Sequence, residues 1–182
     1  LLVNIGTLVF FKYFDFFIGQ VNVLLSNSGL HAEPLMANIL LPIGISFFTL
    51  KKISYIIDVY RKNDQPIPGF VDFALYISFF PQIVSGPIDH SRVLMPQIQK
   101  LRRWSWDYFQ KAWPLLVMGL VKKIVVADHV SVIADQIYGI KSPSKLLLLA
   151  GTLAFMVQIL ADFSAYTDLS RGIAFFLGFY TS

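Results

Sequence analysis

The stretch Leu146-Leu-Leu-Leu-Ala-Gly-Thr-Leu-Ala-Phe-Met-Val-Gln158-Ile-Leu-Ala-Asp162-Phe-Ser164-Ala-Tyr166-Thr-Asp168-Leu-Ser-Arg171 decides the fold class. From Leu146 to Ala161 it carries no Asp, Glu, Lys or Arg, which marks a membrane segment. Continued as a helix, it puts Gln158, Asp162 and Tyr166 four apart on one stripe, with Ser164, Asp168 and Arg171 on a second stripe nearly opposite. Polar residues on both sides leave little surface for lipid, so this helix is expected inside a bundle, beside a hydrated channel. Asp162 and Asp168 are functional candidates because a carboxylate at membrane depth is costly. For Asp168 the alternative is a structural pair with Arg171 at i+3.

The composition agrees with that reading. The 182 residues are 55% hydrophobic and only 14% charged, with a mean hydropathy of +0.62; soluble domains carry roughly a quarter charged residues. Apolar dominance excludes disorder and collagen-like repeats, and the lack of cysteine excludes a disulfide scaffold. A net charge of +4 is too small to suggest nucleic-acid binding. The fold class is therefore all-α, a polytopic membrane protein. Leu1 opens inside an apolar stretch and Ser182 follows another, Gly172 to Tyr180. The sequence is thus expected to be an internal piece of a larger polytopic protein, and no signal peptide is read at its start.

Five more charge-free windows precede the quoted one: Leu1 to Phe11, Phe16 to Leu30, Pro34 to Leu50, Phe73 to Ile88 and Ala112 to Val121. A window of about 16 residues covers only ~24 Å of a ~30 Å hydrocarbon core. Either the spans continue through polar residues or some are short, broken or re-entrant. Pro42-Ile-Gly44 and Pro81 with Gly86-Pro87 mark a kink or a break in two of them. Lys122-Lys123 divides the apolar run from Leu115 to Ala127, and at about 100° apart at least one lysine should face protein, water or headgroups. Asp58 reaches Arg61 and Lys62 at i+3 and i+4, a candidate anchor at the interface.

The segment 89–111 differs in kind. It holds Arg92, Lys100, Arg102, Arg103 and Lys111 among Leu94, Leu101, Trp104, Trp106, Tyr108 and Phe109. Basic residues interleaved with Trp and Leu suit a helix lying in the interface plane, with a connecting loop of ordinary aromatic-belt residues as the alternative, and by the positive-inside rule that side should be cytoplasmic. The three histidines, His31, His90 and His129, read as loop or interface residues. Metal-ligand spacing, a phosphate loop and a nucleophile elbow are missing, so the segment carries no complete catalytic set.

Five motifs together resemble the membrane-bound O-acyltransferase (MBOAT) family, in its order and spacing. They are Pro42-Ile-Gly-Ile-Ser-Phe-Phe-Thr-Leu50, Ile53-Ser-Tyr-Ile-Ile-Asp-Val-Tyr-Arg61, Phe79-Phe-Pro-Gln-Ile-Val-Ser-Gly-Pro-Ile88, Gly119-Leu-Val-Lys-Lys-Ile-Val-Val-Ala-Asp128 and Asp162-Phe-Ser-Ala-Tyr-Thr-Asp168. The resemblance runs from about Leu35 to Tyr180 and is to the branch of the alginate O-acetylation protein AlgI and the DltB-like teichoic-acid D-alanyl transferases. The sequence departs from that branch at Ala165, where relatives commonly have Gly, and at Arg171, where they have apolar residues.

The resemblance implies one partial MBOAT domain over residues 1–182, part of a ring of helices around a tunnel that carries an acyl group from a cytoplasmic donor to an acceptor across the membrane. It implies transfer of acetyl groups to an exported polysaccharide at the bacterial inner membrane. The donor would be acetyl-CoA or an acyl carrier protein, with no covalently bound cofactor and no metal. Partners would be membrane lipids and extracytoplasmic acetylation proteins. The family's catalytic histidine is expected on a later helix, beyond residue 182. Asp162, Ser164, Tyr166 and Asp168 would line or support the tunnel, Pro81, Gln82, Gly86 and Pro87 a re-entrant wall, and Arg92, Lys100, Arg102 and Arg103 the donor side. Two other readings stand beside it: a channel or transporter using Asp162 and Asp168, and a catalytically inactive truncated scaffold.

Overall fold

A computed structural model describes residues 1–27, 42, 44–83, 86–87, 89–101 and 103–181. It is all-helical, with no strand among the described residues. His31 and Arg102, with most of the Ser26 to Pro34 loop, lie outside the described residues. The chain divides into two compact units, Leu1–Pro68 and Gly69–Ser182.

In the first unit, α1 (Leu2–Asn27) packs against α2 (Ile45–Tyr60). α1 runs unbroken through Lys12 and Asp15, so two short charge-free windows are one helix of 26 residues, about 39 Å long. α2 begins just after Gly44, whose φ of 76° is open to glycine, so the Pro42-Ile-Gly44 signal marks a helix start rather than a kink. At the other end α2 stops at Tyr60. Lys62 takes the left-handed position (φ 59°), and its N–H and that of Asn63 close back on Val59 and Asp58 carbonyls. The helical geometry expected from Asp58 therefore reaches Arg61, whose N–H still bonds the Ile57 carbonyl (2.9 Å), and ends at Lys62.

The second unit opens with α3 (Phe70–Ile77), then a 3-10 turn at Phe80–Gln82 and irregular backbone before α4 (Ser91–Ile98). The break anticipated at Pro81 to Pro87 is present, and protein covers it: Pro81, Gln82 and Gly86 are buried. The expected interfacial helix over 89–111 is instead two pieces. α4 ends at Ile98, irregular chain follows, and Trp106 starts α5 (Trp106–Val121). Ser105 causes the restart by accepting the Asp107 N–H as an N-cap (3.3 Å).

From Trp106 the chain stays helical through a π-turn (Lys122–Ala127) and α6 (Asp128–Tyr138), then returns as α7 (Lys145–Phe176). α7 is one helix of 32 residues, roughly 48 Å, and passes straight through the polar motif. It is held at the start by Ser144, which accepts the Leu147 N–H, and closed by Gly178 in a left-handed cap (φ 82°). α1 and α7 are long and apolar enough to cross a membrane.

Small residues let the two arms of this hairpin approach closely. Ala112, Gly119, Ala127 and Ala134 are buried on the outgoing arm; Gly151, Ala165 and Gly172 are buried on α7. A Cβ on Gly119 would lie 2.7 Å from Leu169 Cγ and 3.0 Å from the Ala165 carbonyl, and one on Gly172 would lie 2.8 Å from Leu116. The α7 positions are spaced by 14 and 7 residues, multiples of the seven-residue repeat that a left-handed helix pair requires, with Gln158 at the position between the first two. The outgoing arm repeats at 112, 119, 127 and 134, with one residue too many in the middle. The π-turn holds that extra residue: its wider i→i+5 turn absorbs it and returns Ala127 and Ala134 to the seam, leaving Val126 outside.

Candidate functional site

The π-turn faces the polar motif of α7. Lys122 Nζ donates to Ser164 Oγ (2.8 Å) and to Asp168 Oδ2 (2.5 Å). Lys123 Nζ donates to Asp162 Oδ1 (2.7 Å), pairs with Asp128 Oδ1 (2.9 Å) and stands 5.6 Å from the centre of the Tyr166 ring. The lysine and α7 carboxylate side chains are between 16% and 32% exposed, so water screens these pairs only partly.

Ala165 explains why both lysines find partners. At about 100° per residue, Asp162 lies about 60° to one side of Ala165 and Asp168 about 60° to the other. Ala165 is fully buried against the outgoing arm near Gly119. The two polar stripes therefore flank one contact line, and neither is turned away from the neighbouring helix. The adjacent lysines straddle the same line. Asp168 thus pairs with Lys122 and not with Arg171, the partner suggested by spacing; Arg171 Nε is buried without a hydrogen-bond partner. Ala165, a departure from the family pattern, fits because the facing residue, Gly119, has no side chain.

A second buried polar group surrounds the backbone break. Asp89 is 1% exposed and accepts a 2.6 Å hydrogen bond from Gln82 Nε2, while its carbonyl accepts one from the Tyr76 hydroxyl (3.0 Å). Ser91 is equally buried. Gly86 lies against α7: a Cβ there would collide with Ser170 Oγ and come within 2.7 Å of Gln82 Cα. The break is thereby locked to the helix that carries the Lys–Asp pairs. Pro87 is half-buried beside it.

The basic residues do not share one site. Arg92 is exposed on α4, Lys100 and Arg103 are exposed in the connector, and Arg102 lies outside the described residues. Lys111 pairs with Asp107 at 2.8 Å, and this carboxylate, with the Tyr180 hydroxyl, raises the lysine above its ordinary pKa. His90 is exposed, and His129 Nδ1 lies 2.9 Å from the Ile124 carbonyl, so neither joins the Lys–Asp cluster. Among the described residues no group of His, Cys, Asp or Glu could hold a metal ion.

Lys122 and Lys123 are the members of the cluster that spacing alone did not place. Charge balance was the available signal: two cations inside one apolar helix call for two anions, and Asp162 and Asp168 interrupt the other. Asp89 gave no signal, because it sits beside His90 and Arg92 in a charge-rich stretch.

The fold and site define an all-helical membrane protein in which a long helix hairpin is cross-linked by partly buried Lys–Asp pairs. Over 97% of its length the chain is 34% identical to a Pseudomonas putida protein named "Probable alginate O-acetylase AlgI" and to a Helicobacter pylori protein named "Peptidoglycan O-acetyltransferase". Over 89% it is 25% identical to a Bacillus subtilis "Teichoic acid D-alanyltransferase". It covers 36%, 38% and 41% of these relatives, so it spans little more than a third of their length. No family model matches the chain. These relatives are of the membrane-bound O-acyltransferase type, and the chain is similar to them along nearly its whole length.

Proposed function

We propose that this chain is part of a membrane O-acyltransferase that moves acetyl groups across the bacterial inner membrane to an exported polysaccharide. The observation that carries the reading is the 34% identity to an O-acetylase and an O-acetyltransferase over 97% of the chain. The geometry suits a scaffold for such transfer. Two cations and two anions at the middle of a helix pair fix the register of α7 without leaving an uncompensated charge in an apolar setting. A rigid α7 in turn fixes the break at Pro81 to Pro87 through Gly86 and Ser170, so two elements of a tunnel wall would be held together.

In this reading the helices belong to a ring, the chain is multi-pass, and α1 and α7 are two of its spans. The end with Arg92, Lys100, Arg103 and Lys111 faces the cytoplasm and the acyl donor. The acceptor and extracytoplasmic partner proteins lie on the opposite side. The histidine that acts on the acyl group belongs to a later helix, as the family resemblance implies, and Asp162, Ser164, Tyr166 and Asp168 act as positioning groups.

The test is complementation. A full-length protein containing this segment, expressed in a bacterium lacking its own polysaccharide O-acetylase, should restore acetyl esters to the exported polymer, read by NMR. Polymer with no acetyl ester, from cells with the protein in the membrane and its partner proteins present, would refute the reading.

A further inference from the structure

The start of α5 and the end of α7 enclose an open cleft of about 200 Å³, lined by Arg103, Trp104, Tyr108, Phe176 and Leu177. Four of its five walls are apolar or aromatic, and its single charge is the Arg103 guanidinium. Arg103 has no ion-pair partner among the described residues. Tyr108 is fixed because its ring rests on Gly178, 3.1 Å from where a Cβ would stand. Trp104 is 62% exposed and packs edge-on against Trp106, which stacks on Phe109. A band of Trp and Tyr with basic residues at the end of a membrane helix marks the interface between tails and headgroups. Lys/Arg count sets the side: segment 89–111 has five, against Lys141 and Lys145 at the other end of the hairpin. That puts the cleft in the cytoplasmic leaflet, which carries the anionic lipids.

We propose that this cleft binds the phosphate headgroup of an anionic phospholipid. A guanidinium offers a planar fork of donors that matches two phosphate oxygens, and in a partly apolar slot that pairing is less screened than on an open surface. The volume is below the ~300–1,000 Å³ of clefts that enclose drug-sized molecules and suits a headgroup with its chains left outside. Phe176 and Leu177, 44% and 40% exposed, give the first methylenes an apolar path out of the cleft. The inference rests on α7 crossing the membrane and not on acyl transfer, so the two can fail separately.

The experiment is native mass spectrometry of the full-length protein in detergent, with phosphatidylglycerol or phosphatidylethanolamine of identical chains. Wild type should retain the anionic lipid in preference to the zwitterionic one. Arg103→Gln should lower that retention about fivefold and Arg103→Lys by less, because charge survives but the fork does not. Arg92→Gln, which removes an exposed charge elsewhere, should leave it unchanged. Equal retention by wild type and Arg103→Gln overturns the proposal. So does equal retention of the two lipids, or displacement of the bound lipid by millimolar inorganic phosphate or coenzyme A. An active enzyme with any of these results would refute the lipid site and leave the acyltransferase reading standing.

Discussion

Removing Lys122 should damage the protein more than removing its partner's charge. The side chain of Asp168 is 16% exposed, and Lys122 is its one partner among the described residues. Lys122 is 32% exposed and keeps Ser164 Oγ at 2.8 Å if Asp168 changes. Breaking one side of a fully buried pair costs ~3–5 kcal/mol, whereas exposed pairs are worth ~0.2–1 kcal/mol. With these exposures, and with solvent screening discounted, Lys122→Met should cost ~2–3 kcal/mol and Asp168→Asn ~1–1.5 kcal/mol. The double variant should cost no more than Lys122→Met alone, a coupling of ~1–1.5 kcal/mol. The assay is reversible unfolding of the full-length protein in mixed micelles, with acetyl transfer measured on the same preparations. If each single change costs under ~0.5 kcal/mol and the two add, the pair does not hold the hairpin. If Asp168→Asn costs more than Lys122→Met, the asymmetry argument is wrong.

Gly119→Ala should destabilise by ~1–3 kcal/mol, because the facing carbonyl of Ala165 is backbone and cannot turn aside. Gly6→Ala and Gly19→Ala on α1, where nothing lies within 4 Å, should be neutral or stabilising by ~0.5–1 kcal/mol; thermal unfolding in detergent separates the cases. Deleting Val125 would remove the extra residue together with the π-turn and leave Ala127 and Ala134 at seven-residue spacing from Gly119, still on the seam, so folded yield in the membrane should survive; a collapsed yield would disprove the register argument. Gln82→Leu should lower stability by ~1–3 kcal/mol by stripping a 2.6 Å hydrogen bond from a carboxylate that is 1% exposed, and should reduce acetyl transfer with it. An unchanged melting temperature would count against that assignment.

Much of this was legible in the residues, and the failures share a cause. Prolines announced the break at Pro81 to Pro87 because the missing N–H is local chemistry. Helical spacing announced the stripes of Asp162 and Asp168 for the same reason. Helix length was left open between continuous and broken spans because charge-free windows stop at Lys12 and Asp162, while the backbone ladder runs on through both. The pairing was hidden because it depends on the π-turn, and Lys-Lys-Ile-Val-Val-Ala has neither Gly nor Pro to advertise one. The interfacial segment was read as one helix because its basic-aromatic pattern continues across Ser105, where the cap restarts the backbone.

The extra residue held by the π-turn also makes the hairpin modular. The contacts of Leu116 and Gly119 with Gly172 and Ala165, and those of Ile137 and Tyr138 with Gly151, belong to two heptad blocks joined by a phase shift in the sequence, not to one continuous zipper. A side-chain change that slides or rotates one block is taken up at the turn before it reaches the other. The half of this helix pair that holds Ala112 and Gly172 can therefore vary its packing while the half that holds Ala134 and Gly151 keeps its own fit, with Lys122 and Lys123 as the joint between them.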